Sequence, residues 1–233
     1  MSLKNKVCII TGSGSGIGRG AATKMAQQGA KVVLIGRTAE KIEAVKDQIE
    51  ADGGIAKAFV LDVADHIATH KMAKETLNIF GRIDILVNNA GIYTGKSIKD
   101  ITLEDWVLGL AVNLTAPMLM SKLAIPMMIK KGGGVILNIT SGSAERYDRG
   151  HVAYSTSKAA LNRFTQNLAQ EVNDLNIVVN ALGPGLVKTE MNNFYEHGDE
   201  IESVIEPALK LMNLDKNDNI NGEILHKEDL RLK

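Results

Sequence analysis

Short apolar runs alternate along the chain with longer stretches of helical periodicity. Apolar residues recur in the longer stretches at spacings of three and four, as Ile42, Val45 and Ile49 do, and this pattern predicts amphipathic helices. Most of the short runs are continuously apolar, which is typical of strands covered on both faces. The predicted strands are residues 7–11, 32–36, 58–61, 83–87, 135–140 and 177–182, with 222–226 as a candidate for one more.

Repeated strand–helix units with short connections imply a parallel sheet with right-handed crossovers. We therefore predict an α/β fold: a single-domain, Rossmann-like, doubly wound parallel sheet of about seven strands, with helices on both faces. No linker or repeat divides residues 1–233. Pro117 and Pro126 predict a kink or break in the helical stretch 102–131. Residues 189–213 are more polar and less regular, and we interpret them as an excursion over the sheet.

Charge and cysteine content exclude several classes of protein. The chain has 27 basic and 27 acidic residues, a balance that disfavours non-specific binding to nucleic acid or to a membrane surface. One cysteine rules out a disulfide framework, and no Cys/His cluster suggests a metal site. The first apolar run is much shorter than a signal peptide or a membrane span. We expect a cytoplasmic protein.

The 22 glycines are concentrated where chemistry is expected. Residues 11–18 read Thr-Gly-Ser-Gly-Ser-Gly-Ile-Gly, directly after the first strand and at the start of the first helix. Glycine lets the backbone approach a ligand, and a helix N-terminus offers N–H groups and a positive dipole end to a pyrophosphate. This context predicts a dinucleotide-binding loop, and the alternative is a tight turn without a ligand.

The end of the second strand indicates which dinucleotide is bound. An acidic residue there holds a ribose 2′-hydroxyl, whereas an arginine accommodates a 2′-phosphate. Gly36 occupies the acidic position and Arg37 follows it. NADP(H) is therefore favoured over NAD(H), with neutral hydrogen bonds expected from Thr38 and the Ser13 hydroxyl. Because Ser15 is not basic, the expected discrimination between NADP(H) and NAD(H) is partial. The alternative interpretation of Arg37 is a solvated side chain at the end of a strand.

Tyr154 and Lys158 lie four residues apart in a helical stretch and so share one face. A nearby ammonium lowers the pKa of a tyrosine, and such a pair can donate a proton to an alkoxide and take it back. The spacing alone is also common on ordinary helix surfaces. Here it occurs together with Asn-Asn-Ala-Gly at 88–91, Asn113, Ser141, and Pro-Gly at 184–185 followed by Thr189.

With these motifs in this order, the sequence resembles the classical short-chain dehydrogenase/reductase family from about Lys6 to Gly222. The resemblance implies an oxidoreductase that transfers a hydride between a nicotinamide cofactor and a small-molecule carbonyl or alcohol. Tyr154 would be the acid/base and Ser141 would hydrogen-bond the substrate oxygen. Lys158 would hold the nicotinamide ribose and lower the tyrosine pKa, and Asn113 would hold a water in a proton relay.

The resemblance also implies a cofactor site without a metal. Asp62 would hydrogen-bond the adenine ring, and Asn88 would be mainly structural, bridging strands. The cofactor-binding residues implied are Gly12, Ser13, Ser15, Gly16, Ile17, Gly18, Arg37, Thr38, Asp62, Val63, Asn89, Ala90, Gly91, Tyr154, Lys158, Pro184, Gly185, Val187 and Thr189. The family resemblance further implies a homo-oligomer, a dimer or a tetramer, although the charged residues 226–229 replace the usual Asp-Gly-Gly ending.

Other functions and the substrate stay open at this point. One alternative is a cofactor-sensing regulatory protein with little or no turnover. Another is a serine hydrolase that uses Ser141, His151 and Asp148, but no G-x-S-x-G elbow surrounds Ser141. Reduction of acyl-carrier substrates, of sugars or polyols, and of small ketones are all compatible with the motifs. The residues expected to line the substrate site are Tyr93, Ser143, Ala144, Arg146, Tyr147, Pro184 and a small covering segment at about 189–213.

Overall fold

A seven-stranded parallel sheet forms the centre of the fold. In this computed structural model, which describes residues 3–146, 149–192 and 197–230, the strand order is β3-β2-β1-β4-β5-β6-β7. Every pairing between neighbouring strands is parallel. The strands are β1 (Val7–Thr11), β2 (Lys31–Gly36), β3 (Ile55–Val60), β4 (Ile85–Asn88), β5 (Gly134–Ile139), β6 (Ile177–Gly183) and β7 (Ile224–His226).

Helices cover both faces of this sheet. They are α1 (Gly16–Gln27), α2 (Ala39–Ala51), α3 (His66–Phe80), α4 (Leu103–Leu110), α5 (Ala116–Lys130), α6 (Val152–Glu171) and α7 (Glu202–Met212). Because successive strand residues point to opposite faces, β1 contributes to two cores. Cys8 shares one core with Met25 of α1, and Ile9 shares the other with Met72 of α3. The predicted doubly wound α/β fold is confirmed.

The strand boundaries show where hydrophobic periodicity is a weak guide. β3 begins at Ile55 rather than at residue 58. It lies at the edge of the sheet, and Ile55 and Val60 are about half exposed, so its apolar pattern is diluted. β4 begins at Ile85 rather than at 83, after Asp84, whose carboxylate accepts a hydrogen bond from the backbone of Val7 at 2.8 Å.

The long helical stretch is interrupted once. A π-helical turn, Ala111–Thr115, joins α4 to α5, and Pro117 lies at the start of α5, where its missing N–H removes one helical hydrogen bond. The predicted break therefore occurs near Pro117. Pro126 lies inside α5, which continues through it to Lys130. The run Leu103–Lys130 is long and apolar enough to span a membrane by length and composition, but core helices of soluble proteins also meet that test.

The prediction that residues 189–213 are irregular is wrong for their second half. Helix α7 is eleven residues long, and its buried side chains join the core on the α1 side of the sheet. Val204, Ala208 and Leu211 recur at helical spacing, but the polar residues before them obscured this signal. Residues 193–196 of this segment lie outside the described residues.

The cysteine in β1 is completely buried. No solvent-exposed surface remains on Cys8, and it lies in the core between the sheet and α1. Burial raises the pKa of the Cys8 thiol far above its ordinary value, and the nearby Asp84 carboxylate raises the pKa further.

Candidate functional site

The chain changes direction across the sheet between β1 and β4, and this is where doubly wound folds form a crevice at the carboxyl ends of their strands. A cleft of about 530 Å³ lies there. Loops that follow β1, β2, β3, β4, β5 and β6 all contribute to its walls. The topology therefore brings together segments that are far apart in the sequence.

The glycine loop has the backbone geometry that the sequence predicts. Gly12 and Gly16 adopt φ values of +65° and +53°, which side chains rarely tolerate. At Gly18 an added Cβ would lie 2.3 Å from the carbonyl oxygen of Gly12, so glycine is required for α1 to pack on the loop. The side chain of Asn89 donates hydrogen bonds to the carbonyl oxygens of Thr11 and Gly12, at 2.9 and 3.1 Å, and fixes the loop.

Most of the predicted cofactor residues line this cleft, and two do not. These two are Ser13 and Gly18. The buried Ser13 hydroxyl accepts a hydrogen bond from the Ile35 N–H at 2.9 Å and donates to the Ile35 carbonyl at 3.3 Å, so the predicted contact between Ser13 and a cofactor phosphate is wrong. Those that do line the cleft are Gly12, Ser15, Gly16, Ile17, Arg37, Thr38, Asp62, Val63, Asn89, Ala90, Gly91, Tyr154, Lys158, Pro184, Gly185, Val187 and Thr189.

Arg37 and Asp62 lie side by side at one end of the cleft. Nη1 of Arg37 is 3.8 Å from Oδ2 of Asp62, and the two side chains are 64% and 39% exposed. Oδ1 of Asp62 also accepts the Ala64 N–H at 2.9 Å. An added Cβ at Gly36 would lie 2.7 Å from the Ile42 side chain, so packing also disfavours a carboxylate side chain at that position.

Tyr154 and Lys158 lie one turn apart in α6, at the other end of the cleft. The buried Lys158 ammonium donates a hydrogen bond to the Ile139 carbonyl at 2.8 Å and lies 5.9 Å from the centre of the Tyr154 ring. Burial lowers the pKa of Lys158 to about 8.

The environment of Tyr154 differs from the prediction. Burial raises the pKa of the Tyr154 hydroxyl, and its hydrogen bond with Ser141 opposes this rise. The Tyr154 pKa is therefore raised and not lowered as predicted, because desolvation of the phenolate outweighs the groups that favour it. Ser141 follows β5, and its hydroxyl also accepts the Ser143 N–H at 3.1 Å.

Asn113 occupies the π-helical turn and is fully buried behind the cleft. Its Oδ1 accepts the Ile92 N–H at 2.9 Å, and its Nδ2 donates to the Ile92 carbonyl and to the Ser157 hydroxyl, both at 3.0 Å. The side chain therefore links α6 to the loop that follows β4. The carbonyl oxygen of Asn113 lacks the usual helical donor, because residue 117 is a proline without an N–H.

A second series of buried side-chain hydrogen bonds joins β4, β5 and α6. Nδ2 of Asn88 in β4 donates to Oδ1 of Asn138 in β5 at 2.8 Å. Nδ2 of Asn138 donates in turn to the hydroxyl of Thr165 in α6, also at 2.8 Å. The prediction that Asn88 is structural and bridges strands is confirmed.

His151 lies at the substrate end of the cleft, a residue that the sequence analysis considered only for the hydrolase alternative. Nε2 of His151 lies 3.2 Å from the hydroxyl of Tyr93, and Nδ1 lies 3.0 Å from the Arg149 carbonyl. The Tyr93 ring meets the Tyr154 ring edge-on, with centroids 5.3 Å apart. His151 comes three residues before Tyr154, about one helical turn, and that spacing was an available signal.

The other predicted substrate residues divide into two groups. Ser143, Arg146 and Pro184 line the cleft, and Ala144 does not. Tyr147, and Asp148 of the hydrolase alternative, lie outside the described residues. Leu186 adds apolar surface that the sequence analysis did not single out, and Met191 adds apolar surface from the predicted covering segment. Within the described ranges, no group of three or more His, Cys, Asp or Glu side chains could hold a metal ion.

Comparison with solved structures supports the same architecture. A 7α-hydroxysteroid dehydrogenase, complexed with NADH and 7-oxo glycochenodeoxycholic acid, is 31% identical with a TM-score of 0.91, over 97% of this chain and 93% of that chain. A structure from Beutenbergia cavernae, assigned provisionally as an NAD(P)-dependent gluconate 5-dehydrogenase with bound NADP at low occupancy, is 33% identical with a TM-score of 0.90. That match covers 99% of this chain and 98% of the other.

Sequence relatives lead to the same family. A 3-oxoacyl-[acyl-carrier-protein] reductase from Aquifex aeolicus is 38% identical over 82% of this chain and 77% of its own length. An uncharacterized oxidoreductase from Thermotoga maritima is 42% identical over 82% of this chain and 75% of its own length. The family model described as short chain dehydrogenase matches residues 6–200. The chain therefore belongs to the short-chain dehydrogenase family of oxidoreductases.

Proposed function

We propose that this oxidoreductase transfers a hydride between a nicotinamide cofactor and a carbonyl or alcohol group of a small molecule. The observation that carries the proposal is the placement of Ser141, Tyr154 and Lys158 in the same cleft as the glycine loop. Gly12 and Gly16 of the loop line the cleft and adopt backbone conformations that favour glycine. Relatives with bound NADP or NADH support the nicotinamide cofactor.

The residues present fit such a cofactor along the whole cleft. The glycine loop and the N-terminus of α1 would receive the pyrophosphate, since α1 has no acidic residue in its first turn. Asp62 and Val63 would contact the adenine ring. The residues that would hold the nicotinamide are Pro184, Gly185, Val187 and Thr189. At Gly91 an added Cβ would lie 3.5 Å from the Lys158 ammonium, so a side chain there would fill the space beside the proposed ribose site. When bound, the nicotinamide ring supplies or accepts the hydride.

Tyr154 is the proposed acid/base. Because its pKa is raised, the hydroxyl carries its proton at neutral pH and can donate it to an oxygen on which negative charge develops. The Ser141 hydroxyl stabilises the same charge by a hydrogen bond. The ammonium of Lys158 favours the phenolate that remains. For Asn113, the backbone carbonyl is the proposed acceptor for a relay water, because both side-chain N–H bonds are already used.

The test is a screen of carbonyls and alcohols with NADPH, NADH and their oxidised forms, following the absorbance of the reduced nicotinamide. On any substrate found, Tyr154→Phe is expected to lower kcat by about 10²- to 10⁴-fold, because it removes the transferable proton and keeps the ring. Circular dichroism and cofactor titration establish that the variant is folded and binds cofactor.

Two outcomes would count against this function. Near-wild-type kcat in a folded Tyr154→Phe variant would remove Tyr154 as the acid/base. Tight cofactor binding without turnover of any compound in a broad screen would favour the cofactor-sensing regulatory protein.

We also propose a cytoplasmic homo-oligomer in which residues 1–233 form one domain. Helix α6 offers little apolar surface for association, because Leu161 and Leu168 are buried and Phe164 packs against the core. The structure offers a different apolar surface on α4, where Leu103 and Val107 are 71% and 55% exposed. Association of copies through α4 would cover this surface.

A further inference from the structure

A buried lysine lies directly after β7 and has no role in the mechanism above. The side chain of Lys227 is only 2% exposed, and its ammonium forms an ion pair with Asp199. A second carboxylate, of Glu228, lies 3.9 Å away. A buried ammonium is costly unless it is paired, so the burial of Lys227 depends on Asp199.

Lys227 packs against the loop 184–189, which lines the cleft. Its backbone N–H donates a hydrogen bond to the carbonyl of Gly183 at 3.2 Å. At Gly185, where φ is +71°, an added Cβ would lie 3.1 Å from the Lys227 Nζ atom. The Lys227 side chain therefore packs beside the backbone of this loop at Gly185, although Lys227 itself is not among the residues that line the cleft.

Asp199, the partner of Lys227, is joined to the same loop by its backbone. The Asp199 N–H donates to the Leu186 carbonyl, and the Asp199 carbonyl accepts the Lys188 N–H, both at 2.9 Å. Val187 between them forms a β-bridge with Asp199. Through the backbone of Asp199, the ion pair thus links the residue after β7 to the backbone before and after Val187. Leu186 and Val187 both line the cleft.

We propose that Lys227 is a positioning residue that holds the loop 184–189 in the conformation that receives the nicotinamide half of the cofactor. This inference rests on the proposed function, which assigns the loop to the nicotinamide. A purely structural ion pair would stabilise the fold and affect both halves of the cofactor alike. A positioning residue affects the nicotinamide half and leaves the adenosine half unchanged.

The test compares binding of a whole cofactor with binding of half of it. Lys227→Met removes the charge and keeps a long side chain in the buried site. We expect it to weaken NADPH binding, measured by nicotinamide fluorescence, by about tenfold, which is within the usual range for pairs of contacting residues. Binding of 2′,5′-ADP, which lacks the nicotinamide, is expected to stay unchanged in calorimetry.

Lys188→Met is the matched control. Lys188 is in the same stretch of chain but is not among the residues that line the cleft, and its ion pair with Glu200 is exposed, with the two side chains 56% and 69% accessible. Exposed pairs contribute little, so this variant is expected to bind both ligands like the wild type. Asp199→Asn removes the other partner, whose side chain is 53% exposed, and is expected to reproduce the effect of Lys227→Met.

Amide hydrogen exchange on the cofactor-free protein separates this proposal from the proposed function. Lys227→Met is expected to speed exchange in the segment 184–189, and Lys188→Met is not. Unchanged NADPH affinity in folded Lys227→Met and Asp199→Asn, equal losses for NADPH and 2′,5′-ADP, or unchanged exchange would each overturn the positioning role. Failure of the wild type to bind any nicotinamide cofactor would instead overturn the proposed function, and the exchange comparison would still show whether Lys227 holds the loop.

Discussion

Arg37 is the residue on which the proposed cofactor choice depends. We predict that kcat/KM is higher with NADPH than with NADH, because the guanidinium can form charge-assisted hydrogen bonds to a 2′-phosphate. An exposed contact of this kind contributes about 1–3 kcal/mol, or roughly 5- to 150-fold in kcat/KM. The Asp62 carboxylate, 3.8 Å from Arg37, offsets part of the positive charge, so we expect the low end of that range.

The measurement is kcat/KM with both cofactors on one substrate, for the wild type and for Arg37→Ala. Arg163→Ala, an exposed arginine on α6 away from the cleft, controls for the loss of one positive charge. A wild-type preference for NADH, or a preference for NADPH that Arg37→Ala leaves intact, would contradict the assignment of Arg37.

Lys158 gives the reaction a predicted dependence on pH. Its pKa is lowered to about 8 by burial, so the ammonium is present below that pH and lost above it. For carbonyl reduction we expect kcat/KM for the cofactor to fall above about pH 8, approaching tenfold per pH unit. The raised pKa of Tyr154 keeps its proton in place over this range. Rates measured from pH 6 to about 10 check this, and a flat profile above pH 8 would contradict it.

The same pKa has a consequence for stability. Lys158 has a lower pKa in the folded state than its ordinary value of 10.5. Between these two pKa values the unfolded chain binds more protons than the folded chain, so the contribution of Lys158 to stability rises as pH increases from about 8 towards 10.5.

Two residues show why a sequence locates a site better than it assigns atoms within it. Ser13 and Asn113 were both predicted to face ligands, and both turn inwards. The reason is the backbone of Ile35 and Ile92, whose buried N–H and C=O groups need partners and obtain them from these side chains. Nothing in the local sequence shows that a backbone group distant in sequence competes for the same side chain.

At the scale of elements, the close packing of α1 on the glycine loop gives a prediction about stability. Gly18→Ala would place a Cβ 2.3 Å from the carbonyl oxygen of Gly12, a backbone atom that cannot move away alone. We expect destabilisation by about 1–3 kcal/mol, as for other overpacked sites. Urea unfolding measures the change.

Gly109→Ala is the matched control for Gly18→Ala. Gly109 lies in α4, and an added Cβ there meets nothing within 4 Å. Alanine is the better helix former, so we expect a gain of about 0.5–1 kcal/mol. Destabilisation of similar size in both variants would show that the contact with Gly12 is not the cause.

The predictability of an element depends on how completely it is buried. β1 and β6 are buried along their whole length, and their boundaries were predicted to within a residue from continuous apolar runs. The boundaries of the edge strand β3 and of helix α7 were not predicted, because half-exposed or polar neighbours dilute their apolar patterns. Pro117 predicted an interruption of the helix. The interruption is a π-helical turn in which Asn113 contacts Ile92 and Ser157, and hydrophobic periodicity cannot reveal such contacts.

At the scale of the whole molecule, the exposed apolar surface of α4 leads to a prediction about assembly. We expect light scattering to show a dimer or a larger species at micromolar concentration. Val107→Glu places a charge on that surface and is expected to shift the protein towards the monomer, because burying an unpaired carboxylate is costly. Ile67→Glu, on α3 and 58% exposed, is the control and is expected to leave the assembly unchanged.

A wild type that shows only a species near 25.1 kDa would contradict the proposed assembly. Equal dissociation by both glutamate variants would mean that the interface is not specific to α4.

The complete burial of Cys8 has a practical consequence for spectroscopy. A thiol reacts as its thiolate, and both burial and the raised pKa suppress that form. Because this is the only cysteine in the sequence, the native protein is already an unreactive background for maleimide or spin-label chemistry. A single reporter cysteine introduced on the surface can therefore be labelled selectively without first replacing a native residue.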